Sequence, residues 1–321
     1  MNPTDAPLLV LLDPADAEHR ATDGGRPVPH AERPERTRAV EAALRRSAFA
    51  DRLAFAGAPA AERAQLEAVH PGAFLDALER HCARGGGWID PDTFATTASF
   101  EVARRAAGAA VLATRAVLDG RASAAFAACR PPGHHAESDR AMGFCLVNGV
   151  AAAAQDAIAS GRAERVFVFD FDVHHGNGTQ AIFEARADVF YASLHQGACF
   201  PGTGAADERG RGAGIGATLN RPLAPGSNDA DWLAAFEREV APALAAFAPD
   251  LLLFSAGFDG HAADPLAACE LDAHTYFELT RRALEVARPS TGGRVASVLE
   301  GGYDLDALGE CACAHAEALL G

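Results

Sequence analysis

The sequence predicts an α/β domain, with a mostly parallel central sheet and helices on both faces. Three observations carry that prediction. Largely apolar runs rich in Leu, Val, Ala and Phe recur at residues 8–12, 124–129, 165–169, 188–194, 251–255 and 294–299. Each is too evenly apolar to leave one face in water, which is how strands buried on both faces of a parallel sheet read. Longer segments with helical spacing separate these runs, and that alternation covers a parallel sheet on both sides. No linker rich in serine or charge and no fixed-period repeat interrupts the 321 residues, so the reading is one domain, residues 1–321.

Residues 8–12 form the first strand. A long loop follows, marked by Asp23-Gly24-Gly25 and by Pro27, Pro29 and Pro34. A helix starts near Pro34, because proline suits a first helical turn, and runs to about Arg46. Residues 61–69 and 71–83 read as helices, Gly85-Gly86-Gly87 breaks the pattern, and 88–98 is a second long loop. Residues 100–118 form an Ala-rich helix closed by Gly120. The strand at 124–129 leads through a loop to a helix at about 148–160. The strand at 165–169 enters a polar loop and then a short helix at about 180–185. The strand at 188–194 precedes a glycine-rich loop that reaches Gly216, and a helix spans about 229–247. The strand at 251–255, a loop to Glu270, a helix at about 273–287, the strand at 294–299 and a final helix complete the chain.

Hydrophobic residues make up 49% of the chain and charged residues 22%, ordinary values for a soluble globular protein. The net charge of −15 argues against a nucleic-acid partner, since phosphate binding wants a basic face. It would not repel a cationic substrate. Seven cysteines, an odd number without a C-x-x-C pair, argue against a disulfide framework or a structural zinc ribbon. Cys311-Ala312-Cys313 reads as core of the last helix. No apolar run reaches membrane length. The N-terminus carries Asp5 and only a short apolar run, without the basic region of a signal peptide. A cytoplasmic protein without a membrane partner is expected; homo-oligomerisation stays open.

Four strand ends deliver unusual residues. Residues 169–180, Phe-Asp-Phe-Asp-Val-His-His-Gly-Asn-Gly-Thr-Gln, follow a buried strand with two carboxylates and two imidazoles. Strand periodicity starts Asp170, Asp172 and His174 on one face, so Asp172 and His174 approach one metal ion from the same side. Parallel α/β sheets place their chemistry at such carboxyl ends, and burying charge without a partner is expensive. Arg130-Pro131-Pro132-Gly133-His134-His135-Ala136-Glu137 holds adjacent histidines in a loop that prolines and a glycine keep out of regular structure. Ser255-Ala256-Gly257-Phe258-Asp259-Gly260-His261 again runs a strand into a carboxylate; alone, Asp259 would serve equally as a helix cap. Glu300-Gly301-Gly302-Tyr303 lets backbone approach closely and leaves the phenol projecting. Together the parts converge. An Asp-His-Asp set with an open position suits catalytic zinc. Such an ion lowers the pKa of a bound water towards about 7 and polarises a carbonyl. Two imidazoles supply general base and acid, and a phenol hydrogen-bonds a developing oxyanion. That set describes metal-assisted amide hydrolysis.

On these motifs the chain resembles the zinc-dependent histone deacetylase family, in particular its class II-like bacterial amidohydrolases with an arginase/deacetylase-like fold. R-P-P-G-H-H-A-E, D-F-D-V-H-H-G-N-G-T-Q, F-P-G-T-G, S-A-G-F-D and E-G-G-Y occur in the family's order across nearly the whole chain. The resemblance implies Asp172, His174 and Asp259 as the ligands of one zinc ion, His134 and His135 as the tandem imidazoles, and Tyr303 as the group that polarises the scissile carbonyl. It implies pairing of Asp170 with His134 and of Asn177 with His135. Because an amide does not stabilise imidazolium as a carboxylate does, His135 is expected to be neutral at rest and to act as base, then acid, with His134 as electrostatic partner. The resemblance further implies a structural potassium ion held by Asp170, Ser193, Leu194 and the backbone oxygens of Asp172 and His174. It implies an apolar tunnel walled by Phe144 and Phe200 with Gly143 as a close backbone contact, and Arg36 at the pocket floor; a helix-surface Arg36 is equally consistent with the sequence. His175 and His261 are expected to support the site and not to ligate.

The expected reaction is hydrolysis of Nε-acetyl- or other Nε-acyl-lysine in a peptide or protein. The alternative on the same fold is an amidohydrolase of acetylpolyamines or other small acetylated amines. Polyamine selectivity needs an acid at the rim to meet a distal ammonium. Leu266 stands where such an acid would sit, which favours acyl-lysine, while Asp90 and Asp92 remain candidate rim acids. A two-manganese ureohydrolase would need more carboxylates than Val173, His175 and Asn177 leave beside Asp172. The presence of Tyr303 and both histidines argues against a non-catalytic reader.

Overall fold

A computed structural model describes residues 8–23 and 26–321. Residues 1–7 and the pair Gly24-Gly25 lie outside the described residues, and with them the expectation that rested on Asp5. The main sheet contains β1 (Leu8–Leu12), β2 (Leu53–Gly57), β3 (Ala124–Ala127), β4 (Val166–Asp170), β5 (Val189–Gln196), β6 (Thr218–Leu223), β7 (Leu251–Ala256) and β8 (Val295–Leu299). Every pairing in it is parallel, and the spatial order is β6-β5-β4-β7-β8-β3-β1-β2.

Neighbouring residues along each central strand feed opposite cores. Val10, Phe126, Phe169 and Phe254 face one; Leu11, Ala125, Val168 and Leu253 face the other. The helices are α1 (Glu35–Arg46), α2 (Arg63–Glu67), α3 (Gly72–Ala83), α4 (Ser99–Leu118), α5 (Gly149–Ala159), α6 (Asn177–Phe183), α7 (Asp229–Ala235), α8 (Ala241–Phe247), α9 (Ala273–Thr291) and α10 (Leu305–Leu320). Val40 of α1, Trp232 of α7, Leu244 of α8, Leu279 of α9 and Leu308 of α10 close the first core. Leu66, Leu75, Val111, Val150 and Phe183, from α2 to α6, close the second. Side-chain caps start several helices at the strand ends: Asn148 Oδ1 accepts from Ala151 N, Asp272 from Thr275 N and Asp304 from Ala307 N.

This is the predicted α/β domain, with four corrections. β2 and β6 were not anticipated, and they are the two edges of the sheet. β2 (Leu-Ala-Phe-Ala-Gly) has no β-branched residue and is half exposed; β6 carries Asn220, Arg221 and Pro222. An edge strand tolerates polar residues and proline that a central strand does not. The loop at 88–98 contains a short antiparallel ribbon, Gly87–Trp88 with Phe94–Ala95. The helix expected over 229–247 is α7, one π-helical turn (Phe236–Val240) and α8. β5 continues to Gln196, so His195 belongs to a buried strand and not to a loop. All seven cysteines are free, with Cys311 buried and Cys313 half-buried in α10. Among the described residues no helix is long and apolar enough to cross a membrane.

Candidate active site

The four motifs leave β4, β7, β8 and β3, which lie side by side in that order at the centre of the sheet. Ser255 pairs with Asp170, Ala256 with Leu299 and Val298 with Ala127, so the four carboxyl ends finish nearly level. Buried carboxylates then stitch the loops together through backbone N–H groups. Asp172 Oδ2 accepts from Gly301 N at 2.7 Å, and Asp259 Oδ1 from Val173 N at 3.0 Å. Glu300 Oε2 accepts from Gly133 N at 2.6 Å and His134 N at 3.1 Å, while its Oε1 takes the Ser255 hydroxyl at 3.0 Å. Asp264 Oδ2 accepts from Tyr303 N at 2.6 Å. Each bond joins two different strand ends, so their side chains are held in fixed mutual positions.

Asp172, His174 and Asp259 come together, each buried, with one ligand atom from each lying within 4.8 Å of the others. His174 Nδ1 lies 3.0 Å from Asp259 Oδ2 and 3.3 Å from Asp172 Oδ1. A Cβ on Gly301 would collide with both carboxylates, so only glycine leaves that space open. Burial and the neighbouring Asp172 raise the Asp259 carboxyl. Burial opposes protonation of His174, but hydrogen bonds to Asp172 and Asp259 outweigh it and raise the imidazole. Two buried carboxylates converging on one nitrogen form a donor set that fits a divalent cation.

The tandem imidazoles lie 4.0 Å apart between ring centroids, tilted by 43°, but have different partners. His134 Nδ1 meets Asp170 Oδ2 at 3.1 Å, and the same oxygen takes the Tyr191 hydroxyl at 3.0 Å. Asp170 Oδ1 accepts from Asp172 N at 3.1 Å. Burial opposes charge on His134, but Asp172 and Asp170 prevail and lift it to about 10. His135 Nδ1 meets Asn177 Oδ1 at 2.9 Å. The other end of that amide, Nδ2, donates to Glu137 Oε1 at 2.7 Å. A carboxylate only accepts, so Glu137 fixes which way the amide points. Asn177 therefore presents its oxygen to His135, Nδ1 carries the proton, and Nε2 is left as a bare acceptor. Burial, then His134 and His174, keep His135 well below the usual imidazole range.

Tyr303 is buried, its ring 5.6 Å from Phe144 and 4.7 Å from the Arg36 guanidinium carbon. Arg36 is fully buried, not on a helix surface; it donates to Gly302 O at 2.6 Å and to Glu300 O. Phe200, 39% exposed, stands edge-on to His135 at 5.0 Å and 6.3 Å from His174. The Gly143 backbone packs between His135 and Phe200. Leu266 is 36% exposed in the loop after β7. Asp92 is half-buried and accepts from the Thr93 hydroxyl at 2.9 Å; burial and Asp90 raise its carboxyl. Asp170 pairs in register with Ser193, next to buried Leu194. His175 is taken up by Thr203 and Gln180, at 2.8 and 2.9 Å, and His261 braces a turn through Ala263 N, so neither joins the three-residue cluster. Sequence reasoning assigned no role to Glu137 or Asp264, or to the Glu300 carboxylate.

A level row of four parallel strand ends with an Asp-His-Asp cluster between them is the arginase/deacetylase architecture. The family model "Histone deacetylase domain" matches residues 30–319. The histone deacetylase-like amidohydrolase of Pseudomonas aeruginosa is 42% identical over 293 residues, covering 91% of this chain and 77% of its own length. Histone deacetylase 15 of Arabidopsis thaliana is 40% identical over 298 residues, covering 91% of this chain but only 53% of its own length. The crystal structure of the HDA15 HD domain superposes with a TM-score of 0.92 at 38% identity, covering 98% of this chain and 88% of that one. The chain belongs to the histone deacetylase family. Family, fold and site together support an amidohydrolase of the deacetylase type.

Proposed function

We propose that the chain is a zinc-dependent deacylase, one catalytic domain over residues 1–321, that hydrolyses the amide of Nε-acetyl- or other Nε-acyl-lysine. The observation that carries this reading is the bare His135 Nε2 beside the Asp172–His174–Asp259 cluster, with Tyr303 nearby. Asp172, His174 and Asp259 would hold one zinc ion, which supplies a Lewis acid for the carbonyl and lowers the pKa of water. His135 takes the proton of the attacking water at Nε2 and returns it to the leaving amine. His134, held by Asp170 and Tyr191, supplies positive charge beside it. The Tyr303 phenol donates to the developing oxyanion. Asp170, Ser193, Leu194 and the backbone oxygens of Asp172 and His174 would hold a structural potassium ion. Phe144, Phe200 and Gly143 wall a tunnel for the acyl-lysine stem, with Leu266 and Asp92 at its rim and Arg36 at its floor.

One observation favours a second reading, an acetylpolyamine amidohydrolase. Burial and the neighbouring Asp90 raise the Asp92 carboxyl, and a distal ammonium would relieve that repulsion. A panel of acyl chains on lysine peptides and on putrescine, assayed with added zinc, decides between them. The chain contains no lysine of its own, so deacylated lysine reports only on added substrate. Turnover should be higher on acetyl-lysine peptide, and Tyr303→Phe should lose about 10²–10³ in kcat, as removal of an oxyanion donor does. A large preference for acetylputrescine overturns the lysine reading. Two metals per chain by elemental analysis would reopen the ureohydrolase.

A further inference from the structure

Asp264 belongs to none of the four motifs, and nothing above gives it a chemical task. Its carboxylate is buried, and every partner of that carboxylate is an N–H donor. Oδ2 accepts from Tyr303 N at 2.6 Å and Asp304 N at 3.2 Å, and Oδ1 accepts from Leu266 N at 3.0 Å. Burial and the nearby Asp259 push its carboxyl up to about 7, against the pull of the three N–H groups. A buried carboxylate held at that cost has a positional task or a chemical one.

The position it controls is that of Tyr303. Gly302 adopts φ 116°, a region that side-chain-bearing residues rarely enter. The approach to the phenol therefore has little stiffness of its own and must be held from outside. The peptide between Gly302 and Tyr303 is gripped at both ends. Arg36 Nε donates to the Gly302 carbonyl at 2.6 Å, and Asp264 accepts the Tyr303 N–H. The third Asp264 bond reaches the backbone N–H of Leu266, whose apolar side chain is exposed in the same loop.

We propose that Asp264 is a positioning residue that sets the placement of the Tyr303 phenol and ties it to the pocket-mouth loop at Leu266. Contact of a substrate with Leu266 and the placement of the phenol are then coupled through one carboxylate. The inference rests on the deacylase reading for what the phenol does; the grip on its backbone rests on geometry alone.

Asp264→Leu tests it, because a side chain of similar shape without acceptors releases the Tyr303, Asp304 and Leu266 N–H groups together; an amide would keep its oxygen on Tyr303 and Asp304. Zinc-loaded wild type, Asp264→Leu, Tyr303→Phe and the double variant are compared on one acetyl-lysine peptide. Asp264→Leu is expected to lower kcat about ten- to a hundredfold, the cost of misplacing a reacting group by an ångström or less, with KM within about threefold. In the Tyr303→Phe background it should cost less than about twofold, because it acts through the phenol. Zinc affinity, measured by chelator competition, should stay within about twofold of wild type. Losses that multiply in the double variant, a loss confined to KM, or a fall in zinc affinity overturn the proposal and leave a general structural role. A kcat unchanged by Asp264→Leu overturns it too. If Asp264→Leu does not fold, Asp264→Glu, which keeps the charge but moves it by one methylene, goes through the same cycle with the same criteria. Full activity in Tyr303→Phe alone would overturn the role of the phenol, a failure of the deacylase reading that the cycle separates from failure of the grip.

Discussion

Two buried polar clusters meet at Arg36, and they differ in how their charge is balanced. In the first, Glu32 and Asp16 face Arg36 and Arg130, all four buried. Arg130 donates to Glu32 through Nε at 2.6 Å and through its second terminal nitrogen, and to the carbonyls of Asp16 and His19 at 2.7 and 2.8 Å. Burial opposes ionisation of Glu32, but Arg130 beside it holds the carboxyl well below its usual range. In the second, Asp170, Asp172, Asp259 and Glu300 are buried among three imidazoles, and among the described residues no guanidinium bonds any of the four carboxylates. Burial raises the Asp170 and Asp259 carboxyls and pushes Glu300 to about 7. Glu32, bonded by both guanidiniums, makes a closed structural brace, while the Asp16 carboxylate takes the Thr37 hydroxyl and burial pushes it up to about 6. Four carboxylates that meet only imidazoles, with His134 and His174 raised by them, leave room and charge for a metal cation, which marks the functional cluster.

Substitutions should therefore act with different weight on stability in the two clusters. Glu32→Gln leaves two guanidiniums without their carboxylate and should destabilise by about 3–5 kcal/mol, as breaking a buried ion pair does; urea unfolding measures it. In the second cluster, Asp259→Asn keeps an oxygen for Val173 N and places an NH2 against His174 Nδ1. In protein stripped of metal it should destabilise by no more than about 1–2 kcal/mol, because relief of the like charge on Asp172 offsets the lost bond to His174, while abolishing metal binding and turnover. A total loss of activity for a small change in stability is usual where a site is built for function. A stability loss on Asp259→Asn comparable to that of Glu32→Gln would break the contrast.

The sequence told the centre of the molecule well and its margins poorly. β3, β4, β7 and β8 are continuous apolar runs because helices cover both faces, and the Asp172–His174–Asp259 cluster, a candidate metal site, was legible because it falls where those runs end in Asp, His and Gly. β2 and β6 were missed because an edge strand needs no such run and admits Pro222. Two of the three site residues that escaped notice, Glu300 and Asp264, act on backbone N–H groups far away in sequence. Glu300 reaches Gly133 across 167 residues and Asp264 reaches Tyr303 across 39, and neither bond leaves a local pattern. Asp264 before Pro265 looks like a turn, and Glu137 looks like a solvated acid until Asn177 is seen beside it.

A third buried group calibrates the comparison, because it carries no charge at all. His315 in α10 is fully buried, with the rings of Phe126, Phe171, Phe254 and Phe258 at 5.4 to 5.8 Å. Thr280 gives its hydroxyl proton to Tyr276 O at 2.7 Å, so its oxygen accepts from His315 Nδ1 at 2.7 Å. Nε2 then accepts from the Ser297 hydroxyl at 2.8 Å, and the ring is satisfied as a neutral base. Burial lowers its pKa from 6.5 to about 3. The unfolded chain binds this proton below about 6.5 and the folded chain only below about 3, so between those values the unfolded state binds more protons. The stability that neutral His315 contributes is fully present above about pH 6.5 and is lost on acidification at up to about 1.4 kcal/mol per pH unit. His315→Gln has no such proton to take up. Its unfolding free energy should be lower than wild type at pH 7 and should fall less steeply between pH 6 and 4, by roughly that slope. Parallel pH profiles for the two proteins would mean that His315 is not held neutral, and that burial alone does not set the state of the groups beside the site.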